Sequence, residues 1–127
     1  MKITCGTDII EIDRIKKMVE DNKEEFLNRI YTENEIAYCE SKNLVKYQHY
    51  AARFSAKEAI FKAISSKLKS KFELTWKDVE VINDEQGKPK VKFIDKLPKD
   101  LEDIDISISH CKQYAVANVV ATWKEEK

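Results

Sequence analysis

Hydrophobic positions change period along this chain, from alternation to helical spacing and back to alternation. Ile3, Cys5 and the run to Ile10 alternate, which predicts an opening strand. From Glu11 the spacing becomes helical, with Ile12, Ile15, Met18 and Val19 on one face. Thr32-Glu33-Asn34-Glu35 has the form of a capping box, in which the threonine hydroxyl serves an orphan amide and Glu35 reaches back to the cap; a helix over about 33–41 follows. The stretch 45–68 contains no Gly or Pro and reads as one long helix. At roughly 100° per residue, Phe54, Ala56, Ala59, Ile60, Phe61, Ala63, Ile64 and Leu68 fall on one broad arc, with Glu58 and Lys62 just beyond its edge. A helix this apolar is largely buried, so its polar residues need a reason.

Alternation returns in the second half. Residues 78–83 and 90–94 flank Asp84-Glu85-Gln86-Gly87-Lys88-Pro89, a six-residue hairpin connection in which Gly supplies a positive φ and Pro stops ladder pairing. Leu97-Pro98 leads into a short helical turn ending at Leu101. Residues 104–110 then place Ile104, Ile106 and Ile108 inward, with Ser107 and Ser109 on the polar face and His110 at the strand's end. A tight turn through Lys112 leads to 114–121, apolar on both faces and therefore a central strand. Strand, helices, then strands make the class α+β: a single domain over 1–127, with the opening strand and helices, one of them long and buried, packed on a mainly antiparallel sheet.

Composition narrows the function. Hydrophobic residues make up 43% and charged residues 36%, enough for a core that needs no disulfide or structural metal. The 23 Lys+Arg balance 23 Asp+Glu, which argues against a general nucleic-acid or polyanion binder. No apolar run approaches the roughly 20 residues of a membrane helix, and the start lacks the features of a signal peptide, so a soluble, cytoplasmic protein is expected. Cys5, Cys39 and Cys111 are odd in number and form no CxxC pair, which excludes a disulfide framework and a spacing-defined zinc site. With only two glycines, Gly6 and Gly87 are expected where the backbone has unusual demands.

Three polar clusters interrupt apolar elements. Asp8, in Gly6-Thr7-Asp8-Ile9-Ile10, reads either as the N-cap of the helix that follows or as a carboxylate bound to a cation. Glu58 and Lys62, four residues apart, fit an ordinary surface ion pair, except that Arg53 and Lys57 crowd the same stretch among Phe and Ala. Carboxylates from two elements, Asp8 and Glu58, suit Mg²⁺, which takes one or two protein carboxylates and completes its shell with water and substrate phosphates. His110 closes Ser107-Ile108-Ser109-His110 and reads as an edge histidine or a binding group. No G-x-S-x-G elbow is present, which excludes a Ser-His hydrolase of that kind. Residues 51–83 carry seven cations (Arg53, Lys57, Lys62, Lys67, Lys69, Lys71, Lys77) against four acids (Glu58, Glu73, Asp78, Glu80), a site for a small polyphosphate. Neither a Walker loop nor GxGxxG is present, so it would not be held in those ways; Lys67, Lys69 and Lys71 also fit a solvated tail to the helix.

Taken together, Gly6-Thr7-Asp8 with Arg14, Arg53-Phe54-Ser55-Ala56-Lys57-Glu58-Ala59 with Lys62, Asn83 with Gly87-Lys88-Pro89, and Ser107-Ile108-Ser109-His110 resemble the holo-acyl-carrier-protein synthases, a group of 4'-phosphopantetheinyl transferases. The resemblance spans positions 6 to 110. It implies Mg²⁺-dependent transfer of 4'-phosphopantetheine from coenzyme A to a serine of apo acyl carrier protein, with release of adenosine 3',5'-bisphosphate, in fatty acid biosynthesis. It implies a homotrimer with active sites in the clefts between subunits. Asp8 and Glu58 match the Mg²⁺ ligands, and Lys62 matches the lysine that neutralises and protonates the leaving phosphate. Arg53 and His110 match nucleotide contacts, while Lys88 and Pro89 match the hairpin that reaches coenzyme A from the neighbouring subunit. Arg14, Lys17 and Met18 fit the first-helix face that docks the acidic carrier, with Ile15 and Lys16 nearby. Asp21, Glu24 and Glu25 follow where a more basic stretch is expected, which weakens electrostatic steering. A non-catalytic coenzyme A- or nucleotide-binding module is the alternative, and a purely structural assembly domain is a third reading.

Overall fold

The computed structural model describes residues 1–70 and 73–125. Strand β1 (Lys2–Glu11) leads into helices α1 (Ile12–Asp21), α2 (Lys23–Ile30), α3 (Glu33–Glu40) and α4 (Lys46–Ile64). Strands β2 (Val79–Asn83), β3 (Pro89–Phe93), β4 (Leu101–His110) and β5 (Tyr114–Trp123) complete the order. All pairings are antiparallel, in a sheet ordered β1-β5-β4 and a separate β2-β3 hairpin. The α+β class is as expected, with β5 the central strand.

Small residues decide how the layers meet. Ala115, Ala117, Val119, Ala121 and Trp123 of β5 are buried under α4, whose Ala52, Ala56, Ala59 and Ala63 are buried in turn. The alanines of both layers let helix and sheet approach closely. Gly6 takes this furthest: a Cβ there would lie 2.0 Å from the Ala59 carbonyl oxygen and 2.9 Å from the Ala63 nitrogen. The expected demand at Gly6 is therefore closeness, whereas Gly87 meets the other expectation with a φ of 84° in the hairpin loop. A second core gathers Ile12, Ile15 and Val19 of α1 with Phe26, Leu27, Ile30, Tyr31 and Tyr50.

Several boundaries differ from the sequence reading. Helix α2, with its buried Phe26, Leu27 and Ile30, is an element the apolar pattern did not announce. The long helix ends at Ile64 and gives way to a 3₁₀ turn over Ser65–Lys67. Pro89 does not stop the ladder; it opens β3 opposite Asn83, because an edge strand can spare an amide. No helical turn forms before Leu101. Asp100 instead adopts a φ of 67°, and the Leu101 amide bonds the Pro98 carbonyl at 3.2 Å in a tight turn that starts β4 three residues early. Lys71 lies outside the described residues.

The capping box forms as expected: the Glu35 amide donates to Thr32 Oγ1 and the Thr32 amide to Glu35 Oε1. Glu35 also accepts Lys57 Nζ at 2.6 Å and the Val81 amide at 2.8 Å, and Lys57 Nζ donates to the Ile30 carbonyl at 2.7 Å. Thr32 Oγ1 donates to Glu80 Oε2 at 2.5 Å. Both Lys57 and Glu35 are fully buried, so Lys57 is not one of the cations free for a ligand. Their network ties α3, α4 and β2 together.

Candidate active site

Asp8 stands on the inward face of β1, two residues beyond the Gly6 contact with α4. Glu11, not Asp8, is the N-cap of α1, and it makes no side-chain cap bond. The Asp8 side chain is 16% exposed and its Oδ1 lies 3.2 Å from Lys62 Nζ, which also donates to the Thr7 carbonyl at 3.0 Å. Glu58 sits one turn earlier on α4, half-buried. Burial pushes its carboxyl above the usual range; repulsion from Asp8 adds to this, and Lys62 opposes it. The three side chains singled out as the reacting centre thus converge, from a strand and a helix held together by an absent side chain.

The donor set fits a hard divalent cation. It offers two carboxylates from different elements, Asp8 raising the cost of the Glu58 charge and Lys62 opposing it. Among the described residues no third His, Cys, Asp or Glu joins them, so most of such an ion's shell would come from water and substrate oxygens.

Arg53 and His110 form a second set. The five residues from Arg53 to Glu58 turn the helix by roughly 140°, and His110 stands on β4, across β5 from Asp8. Arg53 is buried, its guanidinium 3.9 Å from the Tyr38 ring centre and its Nη2 2.5 Å from Asn83 Oδ1. Among the described residues its Nε is buried without a partner, an isolation that costs about 1–3 kcal/mol. His49 bridges to His110, with ring centres 6.3 Å apart, and packs on Tyr38 at 5.5 Å. Burial, then Arg53, Lys42 and His110, hold the His49 imidazole below its usual pKa. The sequence reading missed Tyr38 and His49. The signal for His49 was its place one turn before Arg53 on the same helix face.

Asn83 also holds the hairpin, donating from Nδ2 to the Gly87 carbonyl at 2.9 Å. Pro89 pairs with Asn83 beside Arg53, whereas Lys88 turns to the sheet's outer face, its Nζ 3.4 Å from Asp105 Oδ1. Within one chain, then, neither is brought to Asp8 and Glu58. Arg14 and Lys17 are exposed on α1 and Met18 is half-buried, lining a recess of about 170 Å³ with Asn22, Glu25, Phe26 and Arg29.

The outer face of the three-stranded sheet is uncovered. Ile3 and Ile9 are 60% and 64% exposed, and Tyr114 and Val120 join them there. The three cysteines are free, Cys39 buried and the others exposed. Among the described residues no helix is long and apolar enough to cross a membrane.

Comparison with known proteins gives one answer. The family model described as the 4'-phosphopantetheinyl transferase superfamily matches residues 4–119. The holo-[acyl-carrier-protein] synthase of Ruminiclostridium cellulolyticum is 42% identical over 125 residues, covering 94% of this chain and 92% of that protein. The one from Thermodesulfovibrio yellowstonii is 47% identical over 117 residues, covering 92% and 96%. Among solved structures, the Bacillus anthracis synthase in complex with coenzyme A (3',5'-ADP) superposes with a TM-score of 0.77 at 38% identity, covering 93% of this chain and 94% of that one. The Helicobacter pylori synthase in complex with coenzyme A gives 0.79 at 30% identity, covering 93% and 99%.

Proposed function

The chain belongs to the 4'-phosphopantetheinyl transferase superfamily, among its holo-[acyl-carrier-protein] synthases, and from this premise we propose that it transfers 4'-phosphopantetheine from coenzyme A to a serine of the apo acyl carrier protein of fatty acid synthesis. The convergence of Asp8, Glu58 and Lys62 carries the reading. The serine Oγ forms a bond to the β-phosphorus of coenzyme A, the pyrophosphate P–O bond breaks, and adenosine 3',5'-bisphosphate leaves.

Phosphoryl transfer needs positioning and charge neutralisation more than covalent help. Asp8 and Glu58 would hold Mg²⁺, which when bound neutralises the pyrophosphate and draws charge from the breaking bond. Lys62, half exposed and tethered among the described residues to Thr7 and Asp8, can turn to the leaving phosphate and give it a proton. The serine proton passes to Glu58 or to a water beside it. Arg53 and His110 hold the nucleotide, with the orphan Nε of Arg53 as one donor.

These two sets lie on opposite flanks of α4, and the uncovered sheet face with Ile3, Ile9, Tyr114 and Val120 needs a partner. Both observations support a homotrimer whose sites form between copies, one supplying Asp8, Glu58 and Lys62 and its neighbour Arg53, His110, Lys88 and Pro89. The whole chain acts as one domain, and its three free cysteines suit the reducing cytoplasm.

Apo carrier protein incubated with coenzyme A and Mg²⁺ should gain the mass of one phosphopantetheine, with adenosine 3',5'-bisphosphate released; tight coenzyme A binding with no mass gain would leave only the binding module. For the carrier, Arg14 and Lys17 are exposed cations on α1, with Lys16 exposed between them. Arg14→Glu with Lys17→Glu should raise the carrier's KM about tenfold or more while coenzyme A's stays put. Unchanged carrier KM would move the docking face elsewhere.

A further inference from the structure

Two carboxylates and one lysine make up the reacting centre, and the lysine is already engaged. Lys62 Nζ lies 3.2 Å from Asp8 Oδ1 and donates to the Thr7 carbonyl at 3.0 Å. Both oxygens belong to neighbouring residues of β1, so the ammonium rests against a carboxylate and a main-chain carbonyl, the oxygens a hard cation takes. Other cations of α4 and the turn after it are committed elsewhere. Lys57 serves Glu35 and the Ile30 carbonyl, Arg53 serves Asn83 and the Tyr38 ring, and Lys67 lies over Trp123 at 5.8 Å. Among the described residues, Lys62 is thus the cation that answers the charge of Asp8.

The pairing has an electrostatic reason. Asp8 is largely shielded from solvent and repels Glu58, half-buried one turn before Lys62, in a place where water screens poorly. Lys62 relieves that repulsion while remaining half exposed on a long, flexible stem. Such a pair gives way readily, since an ion pair of this exposure is worth about fivefold or less in an equilibrium constant. The same ammonium is also the group assigned to the leaving phosphate, and it cannot serve Asp8 and the phosphate at once. We infer that Lys62 is the internal placeholder of the metal site: in the metal-free chain it occupies the Asp8 oxygen that a divalent cation needs, and it turns outward to the nucleotide phosphate when such a cation takes Asp8 and Glu58. This rests on the transferase reading above and gives its site an order of assembly. Lys62 thereby lowers the affinity of the carboxylates for a metal ion. A phosphate that draws Lys62 away restores that affinity, so metal and nucleotide favour each other beyond any oxygen they share.

Mn²⁺ is the probe, because the electron paramagnetic resonance of the free ion reports what remains unbound. Without nucleotide, Lys62→Met should bind Mn²⁺ about three- to fivefold more tightly than the wild type. Lys67→Met removes the same charge from a residue paired with neither carboxylate and should leave the affinity within about twofold of wild type. Adenosine 3',5'-bisphosphate should tighten Mn²⁺ binding at least about threefold more in the wild type than in Lys62→Met, the share of the coupling that passes through the lysine. In chelator Lys62→Met should melt below the wild type, because its carboxylates repel unrelieved, and saturating Mn²⁺ should close that gap. Lys62→Gln repeats the series should Lys62→Met fold poorly, and far-ultraviolet circular dichroism checks both. Mn²⁺ binding by Lys62→Met that is equal, weaker or absent, an equal gain in Lys67→Met, or nucleotide coupling of one size in both proteins would overturn the placeholder. Phosphopantetheine transfer by the wild type would still uphold the transferase reading in each of those cases. A wild type that neither binds Mn²⁺ nor transfers would defeat that reading instead.

Discussion

Glu58 holds its proton to higher pH than an exposed glutamate because it is half-buried and faces Asp8. The folded chain therefore binds a proton there that the unfolded chain has already lost, and stability falls as pH rises from the ordinary glutamate range through the raised one. A divalent cation reverses the sign by favouring both charges. In chelator at neutral pH, Glu58→Gln should melt at or above the wild-type Tm; Mg²⁺ should raise the wild-type Tm but not the variant's, and the variant should transfer nothing. A Tm increment from Mg²⁺ that survives in Glu58→Gln would remove this residue from the metal site. Lys57, next in sequence, is a different case. Truncating it in Lys57→Met leaves Glu35 buried without its cation, which costs about 3–5 kcal/mol when one partner of a buried pair is removed. Urea midpoints measure the loss, and Lys57→Met with Glu35→Gln should recover part of it. The sequence showed Lys57 only as one cation among seven, because local charge counting cannot tell a buried pair from a solvated face.

Among the elements, the contact between β1 and α4 sets the spacing of Asp8 from Glu58 and Lys62, on which the proposed chemistry depends. Gly6 and its helix partners Ala59 and Ala63 leave no room for a methyl group, so Gly6→Ala must push strand from helix and carry Asp8 with it. Overpacking of this kind costs about 1–3 kcal/mol, and the expected result is a folded protein with a lowered Tm and transfer reduced about a hundredfold or more, since an ångström of misplacement has that effect. Normal turnover in Gly6→Ala would show that the spacing is not critical. Much of this level was legible. The capping box at Thr32, the strand alternation around Ile106 and the helix containing Glu58 follow from period and local hydrogen bonding. Helix α2 was not, because its eight residues carry only three buried apolar side chains and no cap bond at Asn22. The 3₁₀ turn after Ile64 was also hidden, since neither Gly nor Pro marks it, and at 98–101 Pro98 announced a turn but not its left-handed residue, Asp100.

For the whole molecule, the separation of the Asp8 and Arg53 clusters across α4 and the open sheet face lead to one experiment. Asp8→Ala and Arg53→Ala should each be inactive alone. Co-expressed, or unfolded and refolded together, they should regain up to about a quarter of wild-type activity, because that share of randomly paired interfaces unites an intact Asp8 from one copy with an intact Arg53 from its neighbour. Mixtures as dead as their components would place the complete site within one chain.

Periodicity alone determined the α+β class, the central place of the 114–121 segment and the burial of the long helix, while the ordered motifs around Asp8, Glu58 and His110 supplied the family resemblance. These are properties of single elements, carried by neighbours in sequence. Tertiary structure decided that Asp8 meets Lys62 rather than capping a helix, that Lys57 serves the interior, that His49 stands with His110, and that an apolar recess begins at Glu58. Helical and strand periods say which side chains share a face; which faces then touch depends on close approach between residues tens of positions apart, and no local pattern encodes that.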